Sequence, residues 1–418
     1  MGLSAGYGEI VITPPPGLDL TGYGFYLDRK GENVLDDLKI RVLYLLDGEN
    51  KLILASFDLI GFSVEFADDL RVDIANREDI DVKNVLIACT HTHSGPAVQK
   101  LRGLGEVDSD YTKGIIEKLR TAVEMAGKDI KDVDVSYHSE IVEPIGFNRR
   151  LRKFDPIDPK LNVLIFKGDD RKIYLVNYAC HPVVLGRTNS ISADWAGRVI
   201  SNIEKNGGKA LFFQGFCGDI DPVTNMNRWG EGTEEDIEFL GYILSKRTFK
   251  AERYARHISN PVLKTCEKRI KLPLQVPSEE KLRQEADYWL DIFKDNMNAR
   301  RFIEDWLEEA ESNYERFKNN PYIENVPVQG ISIGDVKIIG IPGEVFCEYG
   351  LKLKERFSPL FTFGYSNGLT GYIPVKDAYR DRGDYACYQA PKIFNVFPFS
   401  QEINDLLLEE ATDVLERI

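Results

Sequence analysis

Val85-Leu86-Ile87-Ala88-Cys89 runs directly into Thr90-His91-Thr92-His93-Ser94-Gly95-Pro96. Five apolar residues ahead of a Gly/Pro-bearing corner read as a buried strand. The corner itself is polar and holds two histidines. Working outward, the same arrangement recurs. A strand at 173–179 meets Cys180-His181-Pro182, one at 210–214 leads to Gly218-Asp219-Ile220-Asp221-Pro222, and one at 336–341 leads to Pro342-Gly343-Glu344. In α/β proteins, ligands sit at the carboxyl ends of strands, where rigid elements aim loop side chains at one point. The four corners therefore predict an α/β fold (mixed α+β), a mixed β-sheet body with flanking helices, and a site at the strand C-terminal ends.

Three of these segments also form hairpins. Apolar runs at 41–46 and 52–57 flank Asp47-Gly48, runs at 161–166 and 173–179 flank Gly168-Asp169-Asp170, and runs at 331–333 and 336–341 flank Gly334-Asp335. No repeat, low-complexity tract or Gly/Ser linker divides the chain, so a single domain over 1–418 is expected. Between 277 and 320 the pattern turns helical. Ser278 suits an N-cap, with Glu279 and Glu280 in the first turn. Leu282, Ala286, Trp289, Leu290, Phe293 and Met297 form one apolar stripe, and Phe302, Trp306, Ala310, Tyr314 and Phe317 another. An inserted helical hairpin is predicted there.

The 418 residues carry 53 Lys+Arg against 67 Asp+Glu, a net charge of −14. Binding to nucleic acid or an anionic membrane surface needs clustered basic residues, so neither is expected. A hydrophobic fraction of 43% can fill a large core. No run of about 18 apolar residues occurs, so no integral membrane segment is expected. The start, Met1 to Gly6, lacks the basic and apolar regions of a signal peptide. Six dispersed cysteines without CxxC spacing read as reduced thiols. A cytoplasmic location follows as the expectation. The sequence leaves the oligomeric state open.

Only five histidines are present, and three of them, His91, His93 and His181, fall in two of the four corners. Strand alternation would send His91 and His93 to one face, where they share a partner. Zinc takes about four N, O or S donors and keeps one position open when catalytic. His91, His93, His181 and Glu344 form a suitable pool. The plainer reading stands beside it: His181 before Pro182 as a turn residue, and Glu344 as a carboxylate heading a helix over 345–356.

Thr90-His91-Thr92-His93-Ser94-Gly95-Pro96, Asn148-Arg149, His181-Pro182, Ser192-Ala193-Asp194, Gly218-Asp219, Ile341-Pro342-Gly343-Glu344 and Gly371-Tyr372-Ile373 occur in an order that resembles the catalytic domain of the neutral/alkaline (non-lysosomal) ceramidases, across residues 5–390. The resemblance implies one Zn2+ held by His91, His181, Glu344 and Tyr372. It also implies catalytic-site roles for His93, Arg149, Asp219 in its Gly-Asp motif, and a downstream tyrosine best matched by Tyr385. The implied activity is zinc-dependent hydrolysis of an amide (N-acyl) bond by a metal-activated water.

Two departures qualify the carry-over. Where that family has a serine after Gly-Asp-x, this chain has Asp221, readable as a general base, a ligand to a second cation or a structural cap. The chain also stops about 30 residues past the last motif, so the family's C-terminal immunoglobulin-like domain is expected to be absent. A small-molecule acyl substrate, more soluble than ceramide, is therefore expected. An esterase or lactonase, or a catalytically altered metal-binding homologue, is the alternative.

Overall fold

The computed structural model describes residues 2–48 and 50–418. Its organisation is a unit used three times. Each unit has a long first strand, an antiparallel hairpin, a crossover helix, a parallel strand and a covering helix. In the first unit these are Leu3–Val11, Lys39–Leu46 with Lys51–Phe57, Val64–Glu78, Val85–Cys89 and Ser109–Lys128. In the second they are Lys131–Ile141, Lys160–Lys167 with Lys172–Tyr178, Asp194–Lys205, Lys209–Gln214 and Glu234–Ala251. In the third they are Leu263–Pro273, Tyr322–Ile333 with Val336–Gly340, Cys347–Arg356, Leu360–Phe363 and Ile403–Glu416. All three predicted hairpins thus form. The repeat lies in topology and is invisible as sequence periodicity.

Units one and two join through antiparallel pairing of Leu3–Val11 with Lys131–Ile141, giving one large mixed sheet. Unit three makes a separate four-stranded sheet. The two sheets stack face to face. Because side chains alternate along a strand, Leu43, Leu45, Leu52, Leu54, Leu86, Leu211 and Phe213 of the large sheet meet Ile331, Ile338, Phe361 and Phe363 of the small one. Phe213 lies flat on Phe363, ring centroids 4.4 Å apart. The opposite face of the large sheet, with Val42, Ile53, Ile87 and Phe212, packs under helices. Strands covered on both faces are apolar at most positions, which is why they read so clearly in the sequence.

The predicted insert is present as Glu279–Ile292, capped by Ser278, and Met297–Phe317, capped by Asn296. It lies between the first strand of unit three and that unit's hairpin. Leu282, Ala286, Phe302, Trp306, Ala310 and Phe317 are buried as the stripes predicted, whereas Met297 begins the second helix and is exposed. Phe302 stacks on Phe25 at 3.8 Å. No helix among the described residues is long and apolar enough to cross a membrane.

Candidate metal centre

In all three units the last hairpin strand and the parallel strand beside it end on one side of the molecule. Unit one supplies His91 and His93, unit two His181, Asp219 and Asp221, and unit three Glu344 and Tyr372. His91-Thr92-His93 departs from the expected strand alternation: the strand stops at Cys89 and His91 adopts a left-handed backbone, φ 68°. Both imidazoles still converge, since the corner is pinned by His91 N donating to Leu59 O and Thr92 Oγ1 donating to Ser192 O.

Each of the three imidazoles is oriented by a backbone carbonyl. Nδ1 of His91 lies 2.6 Å from Ile60 O, Nδ1 of His93 2.8 Å from Gly22 O, and Nδ1 of His181 3.1 Å from Ile220 O. Only a protonated Nδ1 can make those bonds, so in the neutral rings each Nε2 presents a bare lone pair. Those lone pairs point at one another. His93 Nε2 is 3.1 Å from His91 Nε2, and Glu344 Oε2 is 3.0 Å from His181 Nε2 and 3.5 Å from His91 Nε2. Burial pushes the His93 and His181 imidazoles below their usual range, assisted at His93 by the neighbouring rings and at His181 by Arg149. Burial alone would raise the Glu344 carboxyl, but His91 and His181 hold it far below the ordinary carboxylate range. Three acceptor nitrogens and a carboxylate in van der Waals contact repel unless a cation lies among them. The His91/His93/His181 cluster could bind a metal ion, and these donors fit one.

Glu344 heads no helix. It lies in a two-residue strand, Glu344–Val345, paired parallel with Tyr372–Ile373, and Glu344 stands directly opposite Tyr372 in the register. Gly218 passes beneath: a Cβ there would come 2.2 Å from Glu344 O, so the Gly-Asp motif is a close backbone approach. Asp219 is fully buried and accepts from Cys347 N at 2.8 Å and Asn148 Nδ2 at 2.6 Å. It ties the Glu344 corner to the Arg149 turn.

Arg149 bridges three groups of the cavity wall. Its Nη2 donates to Tyr372 Oη and Gly218 O, both at 2.8 Å, and its Nη1 donates to Asp221 Oδ1 at 3.1 Å. Asp221 is 1% exposed, and its second oxygen accepts from Trp229 Nε1 at 2.9 Å. Both Asp221 oxygens are thus occupied by donors. Tyr385 packs edge-on against Tyr372, with Arg149 above its ring at 6.0 Å.

Two further residues belong to the site. Tyr365 stacks on His91 at 4.0 Å, and its hydroxyl lies 3.5 Å from His181 Nε2 and 3.3 Å from Cys217 Sγ. Its backbone is left-handed, φ 54°, as is that of Asn367. The signal was Gly364-Tyr365-Ser366-Asn367-Gly368, another Gly-bounded corner after an apolar strand. Asp194, also left-handed at φ 56°, accepts from Val184 N, Leu185 N and Trp195 N, while Trp195 Nε1 donates to His181 O. Asp194 so holds the His181-Pro182 corner.

Burial outweighs the three donors at Asp194 and pushes its carboxyl up to about 7. A folded value above the unfolded value of about 4 means that the folded chain binds the proton more tightly, so this group's contribution to stability falls as pH rises from about 4 towards 7. Urea unfolding of the wild type and of Asp194→Asn at about pH 5 and about pH 8 checks this. The difference should shift against the wild type by roughly 2–3 kcal/mol between the two pH values.

The histidine cluster meets a cavity of about 740 Å3. His93, Arg149, Asp219, Asp221, Tyr372 and Tyr385 line it; His91, His181 and Glu344 lie behind its wall. No residue of the helical insert lines it. All six cysteines are free, and Cys89, Cys180 and Cys217 are buried around the corners.

No family description and no curated protein matches this sequence. Solved structures do. The neutral ceramidase from Pseudomonas aeruginosa superposes with a TM-score of 0.77 at 15% identity, covering 99% of this chain and 74% of that one. A ceramidase complexed with C2 gives 0.77 at 14% identity, covering 99% and 75%. The chain has the ceramidase-like fold that its motifs foretold.

Proposed function

We propose that this protein, with the fold of the neutral ceramidases, is a zinc-dependent hydrolase of an amide (N-acyl) bond in a small-molecule acyl substrate. The observation that carries the reading is the convergence of three carbonyl-oriented imidazoles and the Glu344 carboxylate beside an open cavity. His91, His181 and Glu344 would hold the ion from behind, and Tyr372 would close the site on the cavity side, with His93 beside it. Bound there, zinc lowers the pKa of a coordinated water towards 7 and polarises a carbonyl oxygen.

The remaining work belongs to the chain's own groups. Arg149 carries a permanent charge at the cavity wall and stabilises negative charge that develops on the substrate carbonyl oxygen. Asp221, with one oxygen on Arg149 and the other on Trp229, holds that guanidinium in place, which favours a positioning role over that of a general base. The carboxylate so replaces a hydroxyl without an idle proton acceptor. Asp219 acts further back, fixing Asn148 beside Arg149. His93, whose bare Nε2 stands at the cavity wall, takes a proton from the attacking water and passes it to the departing nitrogen. Tyr385 shapes the opening.

In the balanced reaction the water oxygen bonds the acyl carbon, the C–N bond breaks, and the nitrogen leaves as an amine with one of the water's protons. Because the donors come from all three units, residues 1–418 act as one catalytic domain in this reading. Six unpaired cysteines suit a reducing, cytoplasmic setting.

Metal analysis of purified protein, with a panel of amides, esters and lactones, tests the proposal. One zinc per chain and turnover of amides are expected. Turnover confined to esters or lactones would reassign the bond, and a zinc-loaded protein inert across the panel would make it a metal-binding homologue.

A further inference from the structure

The whole chain is strongly acidic, yet its metal cavity is lined by four arginines, Arg149, Arg150, Arg152 and Arg187. Three of them share one turn. Asn148 N donates to Lys153 O at 2.7 Å, Lys153 N donates back to Asn148 O, and Leu151 N donates to Asn148 Oδ1, so residues 148–153 form a closed loop. Arg152 is held in a left-handed conformation, φ 53°. Such a backbone is strained for a residue with a side chain and persists only where the surroundings impose it.

The fourth arginine arrives from a different loop of the same unit. Gly186, φ 69°, passes so close to Gly230 that a Cβ would lie 1.6 Å from the Gly230 carbonyl oxygen. That crossing sets Arg187 next to the loop carrying Trp229, another lining residue.

What matters is how these charges are balanced. Arg149 is spent on Asp221 and Tyr372. Arg150 has only a distant carboxylate, Asp384 at 3.9 Å, and its Nε is buried with no hydrogen-bond partner. Arg152 donates to a single backbone carbonyl, Met226 O. Neither Arg152 nor Arg187 has a carboxylate within 4.0 Å among the described residues, and both are exposed. On the acidic side, Asp219, Asp221 and Asp384 are buried and bonded within the wall, leaving Asp381 as the exposed carboxylate of the lining. A buried guanidinium N–H without an acceptor is costly. The Arg150 side chain is 21% exposed and lines the cavity, where an oxyanion would supply the countercharge that Asp384 gives only at 3.9 Å.

Planar guanidinium forks match carboxylate and phosphate oxygens, often in pairs. We propose that the cavity recognises amides bearing a carboxylate or phosphate group, bound by Arg150, Arg152 and Arg187 while the scissile bond lies against the metal cluster. This rests on the hydrolase reading above and names its substrate class. It also separates this chain's preference from an uncharged lipid amide.

Calorimetric titration with N-benzoylglycine, its uncharged counterpart N-benzoylglycinamide and phenyl phosphate tests the proposal, on both zinc-loaded and metal-free protein. The metal-free arm removes direct ligation of the anion by the ion. At low salt the anions should bind at least tenfold more tightly than the neutral amide, and the preference should shrink as salt screens it. In the double variant Arg152→Gln/Arg187→Gln the preference ratio should fall to near one. A remote charge loss of the same sign, Arg283→Gln, should leave the ratio intact. Both substituted arginines are exposed, and circular dichroism checks the fold.

Equal binding of charged and neutral probes to the wild type would overturn the proposal, as would a ratio untouched by the double variant. A stronger preference for phenyl phosphate than for N-benzoylglycine assigns the natural group as a phosphate, and the reverse assigns a carboxylate; either supports it. Anion preference in a protein that neither holds zinc nor cleaves amides would sink the hydrolase reading and leave the anion site standing.

Discussion

Glu344→Gln is expected to leave the fold intact and strip the metal. The substitution keeps size and shape but removes the one negative charge among three imidazoles, and Glu344 is 3% exposed, so water cannot replace that charge. Loss of a partner that merely orients a ligand costs 10–100-fold in metal affinity. Loss of a charged donor should exceed about 100-fold, with hydrolysis falling in proportion. Zinc analysis after dialysis, with circular dichroism for the fold, checks it. Full zinc occupancy in the variant would remove Glu344 from the coordination sphere.

Arg149→Gln carries the second large effect. Its guanidinium joins Tyr372, the Gly218 carbonyl and Asp221, one contact from unit three and two from unit two. If it stabilises developing oxyanion charge, kcat should drop by about 10²–10³ with little change in KM, as for loss of a single oxyanion donor. Steady-state kinetics on the best amide give the split. A rise in KM at constant kcat would instead assign Arg149 to ground-state binding. Asp221→Asn should reproduce part of the kcat loss, because an amide still accepts from Arg149 through one oxygen but holds it less firmly.

The parts of this molecule that read well from sequence are those buried on both faces. Val85–Cys89 and Lys209–Gln214 are apolar at nearly every position, since one sheet covers one side and helices the other. The strands that escaped notice do the opposite. Lys131–Ile141 is half exposed, and the polar positions of Leu263–Pro273 are used in ion pairs, with Arg269 on Asp68 and Glu267 on Arg71. Leu3–Val11 hides behind two glycines, Gly6 and Gly8, that let the strand lie against the carbonyls of the helix Ser109–Lys128. Polar or glycine-bearing strands have no alternation to detect, so these three first strands and the second sheet went unseen.

The site shows a similar division. His91, His93, His181 and Glu344 were legible because histidine is scarce here and each follows an apolar strand. Tyr365 was one of 19 tyrosines, and only the left-handed backbone and the His91 stack single it out. His93 was separated from the ligands on resemblance, while its Nε2 faces the same point as theirs. Tertiary placement of a ring cannot be read from its neighbours in the chain.

The threefold topology bears on how the protein is made. His91 and His93 belong to the first unit, His181 to the second and Glu344 to the third, so the donor set stays incomplete until the ribosome has passed residue 344 of 418. An emerging chain can pair its large sheet early but has no full grip on an ion until the final unit docks. Uptake of an ion by these donors would thus come late in synthesis and would lock three separately threaded segments together. Once bound, the ion opposes peeling of any one unit from the others, since each departure opens the same coordination sphere.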